Sequence, residues 1–219
     1  MNSFESESSS LIESAPEERP GTIALFTTLV RFVADRAKEK VTHRIARRTM
    51  RRLRKDPEKL TRALHPARRV LIVCHGNIIR SAFAAKLLRQ LLGVAGRVRV
   101  ASAGLEAIPG RPPHPKALST AARLRIDLSH HAASRVSLAD IRASDVVFVV
   151  DAPQFVALRT RFPEARHKIF PLTCLAPTTP LEIADPINGD DQAFEICFAH
   201  IIRAVDPIRR AILGSATSR

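Results

Sequence analysis

Tyr and Trp are missing from this chain of 219 residues, and cysteine is scarce. Because there is no Tyr, regulation by phosphorylation of a tyrosine of its own is excluded. Cysteine stands only at positions 74, 174 and 197, and three widely spaced thiols match neither a disulfide framework nor a zinc site with paired ligands. We therefore expect no metal site, and a reducing compartment such as the cytoplasm.

Long apolar runs are also absent. The longest, from Thr22 to Ala34, is interrupted by Arg31 and falls short of the ~20 residues that span a bilayer. The first residues are rich in Ser and Glu, not basic and then apolar, so we expect no secretory signal. The sequence predicts a cytoplasmic protein that does not cross a membrane.

Acidic residues are outnumbered by basic ones, 21 to 35, which gives a formal net charge of +14. More than half of this excess comes from residues 38–55, which hold nine Lys or Arg and one Glu. The stretch is either a solvated basic face or a site for a phosphate-rich surface. Since apolar residues precede it and it contains no Phe, residues 21–55 favour an anionic membrane surface, at the inner membrane face, over nucleic acid.

Composition divides the chain into three parts. Residues 1–20 form an acidic, Ser-rich tail with little to bury, which predicts disorder. Residues 21–66 predict a basic helical extension, one long helix or two shorter ones, and then a linker bracketed by Pro57 and Pro66. Residues 67–215 are numerous enough for one domain with its own core.

A strand, a loop and a helix follow one another from Val70 to Ala85. The apolar run up to Val73 is typical of a buried strand, and apolar residues recur at helical spacing from Arg80 onward. The loop between them contains Gly76 and Asn77, which adopt left-handed backbone angles at low cost. A loop of this kind points its N–H groups into one concavity, which suits an anion.

Cys74 and Arg80 stand at the two ends of this loop. The guanidinium offers a planar fork to two oxygens of a phosphate, and together with the positive end of the helix it favours the thiolate form of Cys74. Ser81 can donate its hydroxyl to the sulfur. The alternative interpretation is a cysteine that serves as a small buried hydrophobic residue. The spacing of Cys, Arg and Ser between strand and helix favours a catalytic phosphate loop.

At this loop the sequence resembles the low-molecular-weight protein tyrosine phosphatase family, whose loop reads Cys-x-Gly-Asn-x-Cys-Arg-Ser-Pro after the first strand. The resemblance extends over residues 68–212. Besides Cys74, Gly76, Asn77, Arg80 and Ser81, the matching positions are Ser102-Ala103-Gly104, Gly110, Pro113, Ala117, Leu128-Ser129-His130-His131, Asp151 and Asp185-Pro186.

The resemblance implies a cysteine-dependent phosphatase that hydrolyses phosphate monoesters, above all protein phosphotyrosine, through a thiophosphate intermediate. Cys74 would be the nucleophile, Arg80 would bind the equatorial oxygens, and Asp185 would act as acid and then as base. No cofactor is implied, and the partner would be a phosphorylated protein such as a bacterial tyrosine kinase. The substrate phosphate would be bound by the loop residues His75, Gly76, Asn77, Ile78, Ile79 and Ser81.

Three positions depart from the family pattern. Ile79 replaces the second loop cysteine, so Cys74 lacks a neighbour that can protect it from over-oxidation. Ala82 replaces a Pro at the helix start. Ile187 follows Asp185-Pro186, where family members usually carry a Tyr or Trp that flanks the substrate ring.

Two other functions stay open. One is reduction of arsenate on the same fold, which needs further cysteines that reach the first. The other is a phosphate-binding or docking module with little catalytic activity, which works through the basic arm. Within the phosphatases, Ile78 matches those that act on tyrosine better than those that act on arginine, which typically have Thr there.

Strands alternate with helices beyond the loop. This alternation predicts an α/β fold, a doubly wound sheet of about four parallel strands with helices on both faces, plus the N-terminal helical extension. Ligands bind such sheets outside the carboxyl ends of the strands, where Cys74, Ser102, Asp151 and the segment before Asp185 converge. The four strands are predicted at residues 69–73, 97–102, 145–150 and 167–172. Two of the helices are predicted at residues 80–92 and 115–125.

Overall fold

The computed structural model describes residues 22–93 and 97–214, so the predicted tail at residues 1–20 lies outside the described residues. The helices are α1 Thr22–Lys55, α2 Pro57–Leu64, α3 Arg80–Leu92, α4 Pro115–Arg123, α5 Leu138–Ala143, α6 Ala152–Arg161 and α7 Asp191–Gly214. The strands are β1 Arg69–Cys74, β2 Arg99–Gly104, β3 Val146–Val149 and β4 Ile169–Pro171, and a short 3₁₀ helix, Pro163–Lys168, precedes β4.

The four strands form one sheet in the order β2-β1-β3-β4, and all neighbours are parallel. The register places Cys74 of β1 opposite Gly104 of β2, and Val73 opposite Val149 of β3. The carboxyl ends of the strands therefore meet at one edge of the sheet, as ligand binding in such folds requires. The predicted doubly wound α/β fold is confirmed.

Alternate side chains of β1 enter two separate cores, because successive residues of a strand point to opposite faces. Ile72 belongs to a core shared with α2, α3 and α7, in which the rings of Phe83 and Phe198 stack with their centroids 3.8 Å apart. Val73 belongs to the opposite core, shared with α5 and α6. Helices therefore cover both faces of the sheet, as the sequence predicted.

The N-terminal extension is one helix rather than two. The chain separates into two compact units, and the boundary lies between Lys40 and Val41. In the first of these units, the guanidinium of Arg36 lies 5.2 Å from the ring centroid of Phe32. Within the described residues, no helix is both long and apolar enough to span a bilayer.

Residues 41–55 of α1 belong to the second unit and help to form its core. Ala46 and Met50 are 4% and 0% exposed, in the same core as Leu71 and Val73. This part of the basic helix is thus an integral element of the fold, and most of its Arg and Lys side chains are exposed.

The prediction of a linker between Pro57 and Pro66 is wrong, because residues 57–64 form α2. Pro57 occupies the first turn, where a missing N–H costs nothing. Leu60 and Leu64 follow at helical spacing, and both are fully buried in the core. Whether residues 67–215 form a domain of their own stays a prediction.

Three predicted element limits were also wrong by a few residues. β2 covers Arg99–Gly104 instead of 97–102, because Arg99 is the residue that pairs with Arg69 at the start of β1, and Gly104 pairs with Cys74 at its end. β4 covers only Ile169–Pro171, since the residues before it form the 3₁₀ helix. α4 ends at Arg123, two residues earlier than predicted, and Arg125 has a left-handed φ of 57° that no helix continues through.

Candidate active site

The side chain of Asn77 holds the loop between β1 and α3. Its φ of 55° lies in the left-handed region, which asparagine tolerates. The side-chain amide donates to Ser81 Oγ at 2.8 Å, and its Oδ1 accepts from the N–H of Ser134 at 3.0 Å. The Asn77 carbonyl accepts from His131 Nε2 at 2.7 Å, which requires the proton to be on Nε2. Asn77 therefore fixes the loop from three sides.

Gly104 allows the end of β2 to approach this loop closely. A Cβ at that position would lie 2.5 Å from the carbonyl oxygen of His75 and 2.9 Å from the amide nitrogen of Asn77. Both are backbone atoms of the loop, so they cannot move aside without deforming it. The Ser-Ala-Gly segment found in the sequence thus has a packing reason, since only glycine leaves room for the loop.

The sulfur of Cys74 is buried and faces two hydrogen-bond donors. Ser81 Oγ lies 2.9 Å from Sγ, and the N–H of Asn77 donates to Sγ at 3.2 Å. Ser81 Oγ accepts from the Asn77 amide, and its own proton can go to the sulfur at 2.9 Å or to the carbonyl of Ala103 at 3.3 Å. Both donors stabilise a thiolate more than a thiol.

Four backbone N–H groups of the loop are available to a ligand. Within residues 22–93 and 97–214, those of His75, Gly76, Ile78 and Ile79 have no acceptor. The side chains of Ile78 and Ile79 are buried in the core, so these two residues can contact a ligand only through the backbone. An anion bound above the sulfur can accept from such a row of N–H groups.

Arg80 connects the loop with two carboxylates. Its side chain is 3% exposed, and Nη1 donates to Asp151 Oδ2 at 2.8 Å and to the carbonyl of Ile183 at 3.1 Å. Nη2 donates to Asp185 Oδ2. Burial opposes the charged form of Arg80, yet the nearby Cys74 sulfur and the two carboxylates outweigh burial and raise the pKa above its ordinary value. The guanidinium is a permanent positive charge beside the sulfur.

Asp185 lies between this arginine and an open cleft of about 480 Å³. The Asp185 side chain is 35% exposed, and its Oδ1 accepts from the N–H of Ile187 at 3.3 Å. Ile187 is exposed near Asp185 in the sequence. An aliphatic side chain thus takes the position where family members usually carry a Tyr or Trp. The cleft is also lined by His75, Arg80, Leu105, Glu106, Asp151, Pro153, Gln154, Ala157 and Arg161.

Asp151 was not among the predicted site residues, although the sequence placed it after the third strand. Its Oδ1 accepts from the N–H of Gln154 at 2.9 Å, and its Oδ2 accepts from Gln154 Nε2 at 2.7 Å. With the bond from Arg80, the carboxylate is held rigidly at the start of α6. The signal that could have found it is an acidic residue directly after a strand buried on both faces, at the ligand-binding edge of the sheet.

The structure thus brings Cys74, Asn77, Arg80, Ser81 and Asp185 together, with His75 at the cleft. The other two cysteines are in the core. Burial raises the pKa of the Cys174 thiol to about 11 and that of the Cys197 thiol to about 12, so both are neutral at physiological pH.

Comparison with known proteins gives a single family. The family model described as "Low molecular weight phosphotyrosine protein phosphatase" matches residues 69–213. The "Probable low molecular weight protein-tyrosine-phosphatase EpsP" of Ralstonia nicotianae is 36% identical over 137 residues, which are 63% of this chain and 90% of the relative. The "Low molecular weight protein-tyrosine-phosphatase Wzb" of Salmonella typhi is 31% identical over 136 residues, 62% of this chain and 88% of the relative.

Solved structures of phosphatases have a fold similar to that of this chain. The arginine phosphatase YwlE from Geobacillus stearothermophilus superposes with a TM-score of 0.62 at 27% identity, over 67% of this chain and 93% of that one. The tyrosine phosphatase AmsI of Erwinia amylovora gives a TM-score of 0.61 at 27% identity, over 70% and 95%. The family match begins at the first residue of β1, so α1 and α2 lie outside it.

Proposed function

This chain belongs to the low molecular weight phosphotyrosine protein phosphatase family, and we propose that Cys74, Arg80 and Asp185 carry out its cysteine-dependent hydrolysis of phosphotyrosine on a protein. One observation carries this assignment: the buried guanidinium of Arg80, beside the Cys74 sulfur, binds the carboxylate of Asp185. A nucleophile, an anion-binding cation and a proton donor therefore share one cleft. The substrate would be a phosphorylated protein such as a bacterial tyrosine kinase.

In the first step, the thiolate of Cys74 attacks the phosphorus of the substrate. A sulfur–phosphorus bond forms while the bond from phosphorus to the phenolic oxygen breaks, and the carboxylic acid of Asp185 gives its proton to that oxygen. Charge on the transferring phosphoryl group is stabilised by Arg80 and by the loop N–H groups. The free tyrosine leaves, and a cysteinyl thiophosphate remains.

In the second step, water attacks the thiophosphate. The carboxylate of Asp185 takes a proton from the water, the sulfur–phosphorus bond breaks, and Cys74 departs as a thiolate. The donors on its sulfur, Ser81 Oγ and the N–H of Asn77, make that thiolate a better leaving group. Inorganic phosphate is released, and Asp185 is protonated again for the next cycle.

Arg80 has donors to spare for this chemistry. Both protons of Nη1 are used by Asp151 and the Ile183 carbonyl, whereas Nε and the second proton of Nη2 find no acceptor in the described part of the chain. Two phosphate oxygens can therefore bind along the Nε and Nη2 edge. A dianion bound there shares the positive charge that holds Asp185, and this weaker hold favours movement of the carboxyl group toward the leaving oxygen.

The substrate class is tested with the full chain and three substrates: a phosphotyrosine peptide, the same peptide with phosphoarginine, and arsenate with a thiol donor. We expect kcat/KM for phosphotyrosine to exceed that for phosphoarginine at least about tenfold, because Ile78 stands at the loop position where phosphatases that act on arginine typically have Thr. A preference for phosphoarginine would contradict this substrate. Turnover of arsenate alone would favour arsenate reduction, and no turnover at all would favour the docking module.

We also propose that residues 21–55 bind an anionic membrane surface, which would bring this cytoplasmic enzyme to the inner membrane face. Within residues 22–40, Phe32 and Val33 are 56% and 57% exposed, and within residues 41–55, Ile45 is 60% exposed. Exposed apolar side chains among many basic ones support lipid over a merely solvated face.

Membrane binding is tested with the full chain and vesicles of neutral lipid with or without an anionic lipid. We expect Arg48→Glu with Arg51→Glu to weaken binding to anionic vesicles at least about tenfold, since each basic residue near such a surface contributes about 1 kcal/mol. Arg111→Glu with Arg142→Glu is the matched charge control outside α1. Equal binding by both double variants, or no preference for anionic vesicles, would contradict the proposal.

A further inference from the structure

The basic helix contacts the segment that leads to Asp185. Arg54 of α1 donates from Nη1 to the carbonyl of Thr179 at 2.9 Å and from Nη2 to the carbonyl of Pro180 at 3.1 Å. Residues 179–185 are named the acid loop here. A side chain from outside the region that matches the family thus binds two successive carbonyls inside that region.

Glu182, in the middle of the acid loop, is bound from the same helix. Arg47 Nε lies 2.8 Å from Glu182 Oε1, and His43 Nε2 lies 3.1 Å from Oε2. Oε2 also accepts from the N–H of Ala152 at 3.0 Å, directly after Asp151. Glu182 therefore joins α1 to the start of α6, where the second carboxylate on Arg80 is located.

The acid loop is itself part of the catalytic cluster. The carbonyl of Ile183 accepts from Arg80 Nη1 at 3.1 Å, and the N–H of Ile183 donates to the carbonyl of Val150 at 2.8 Å. Asp185 follows two residues later. A displacement of residues 179–182 would therefore be transmitted along a short piece of backbone to the carboxyl group of Asp185.

The helix is a firm support for these contacts. Met50 is fully buried and Ala46 nearly so, on the side of α1 that faces the sheet, and Leu181 of the acid loop packs against the same core. His43, Arg47 and Arg54 thus project from a helix packed against the core onto a loop that has little regular structure of its own.

We propose that His43, Arg47 and Arg54 are positioning residues, which hold the acid loop so that Asp185 can reach the leaving oxygen. This rests on the proposed role of Asp185. A general acid misplaced by about 1 Å can lose much of its effect, so fixing the loop contributes to catalysis without contact with the substrate. The N-terminal helix is then a part of the catalytic apparatus that this chain has added to the family fold.

The test compares leaving groups in the full-length enzyme. p-Nitrophenyl phosphate has a good leaving group that needs little proton donation, whereas phenyl phosphate has a poor one that depends on the acid. We expect Arg54→Ala to lower kcat/KM, which reports the step that expels the leaving group, at least about tenfold for phenyl phosphate and less than about threefold for p-nitrophenyl phosphate. Arg54→Lys should recover part of the loss, because a lysine can still donate to one carbonyl.

Arg52→Ala is the matched control, because Arg52 is exposed on the same turn of α1 and forms no ion pair or side-chain hydrogen bond with the other described residues. It removes the same charge and should leave both rates unchanged. If Arg54→Ala does not fold by thermal melting, Glu182→Gln replaces it, since the amide keeps the bond from Ala152 and weakens those from α1. Equal losses in kcat/KM with both substrates, or none with either, would overturn the proposal.

A double-mutant cycle separates this inference from the function on which it rests. In an Asp185→Asn enzyme, Arg54→Ala should have no further leaving-group-dependent effect, because the acid it positions is gone. If Asp185→Asn itself shows no selective loss with phenyl phosphate, the role of Asp185 fails. If Asp185→Asn shows that loss and Arg54→Ala does not, only the positioning role fails.

Discussion

Cys74→Ser should lower kcat for p-nitrophenyl phosphate by about 10⁴-fold or more, while the fold stays intact. A serine hydroxyl is a far weaker nucleophile than a thiolate at neutral pH, and the loop offers two donors to the sulfur but no base that could activate a hydroxyl. Loss of the nucleophile removes the covalent pathway as a whole, which explains the size of the expected effect. Steady-state release of p-nitrophenol is the measurement, with circular dichroism to confirm folding.

Cys174→Ser is the matched control for this substitution. Cys174 Sγ donates to the carbonyl of Leu53 at 3.3 Å, and a serine can keep that bond. Because burial raises the pKa of the Cys174 thiol to about 11, it is not a competing nucleophile, and the variant should keep wild-type kcat. Equal activity of wild type and Cys74→Ser would refute the mechanism.

Asp185→Asn should lower kcat by about 10² to 10⁴-fold, the usual contribution of a positioned general acid. The amide has nearly the same shape and can still accept from Arg80, but it cannot deliver a proton to the leaving oxygen or take one from water. The loss in kcat/KM, which reports the step that expels the leaving group, should therefore be larger for phenyl phosphate than for p-nitrophenyl phosphate. KM should change little, because the phosphate is bound by Arg80 and the loop.

Asp151→Asn gives the contrast. Asp151 binds Nη1 of Arg80 on the side away from Asp185, so weakening that bond should misplace the phosphate for every substrate alike. We expect a loss in kcat/KM that does not depend on the leaving group. If the losses in Asp185→Asn were equally independent of the leaving group, the acid would have to be another residue.

The center of the site could be predicted because its residues are close in the sequence. Cys74, Asn77, Arg80 and Ser81 lie within eight positions between one strand and one helix, and local backbone geometry brings them together. Asp185 was predicted through the family resemblance. The bond between Arg80 and Asp151 depends on β3 being the neighbour of β1 in the sheet, and no local pattern specifies that order.

The N-terminal part was harder to predict for a related physical reason. The bonds from Arg54 to Thr179 and Pro180 join residues about 125 positions apart, and a basic helix looks the same in a sequence whether it faces solvent, lipid or a loop. The supposed linker was mistaken because two prolines suggested a break, whereas Leu60 and Leu64 bury one side of a two-turn helix.

The buried side of α1 bears on how this enzyme should be prepared for screening and crystallisation. A fragment trimmed to residue 69, where the family match starts, would lack Met50 and would uncover the apolar sheet face around Leu71 and Val73. Bare apolar surface of that kind promotes self-association. Inhibitors selected against such a fragment would be selected against a self-associating protein with an altered surface. Trimming should therefore stop before residue 41.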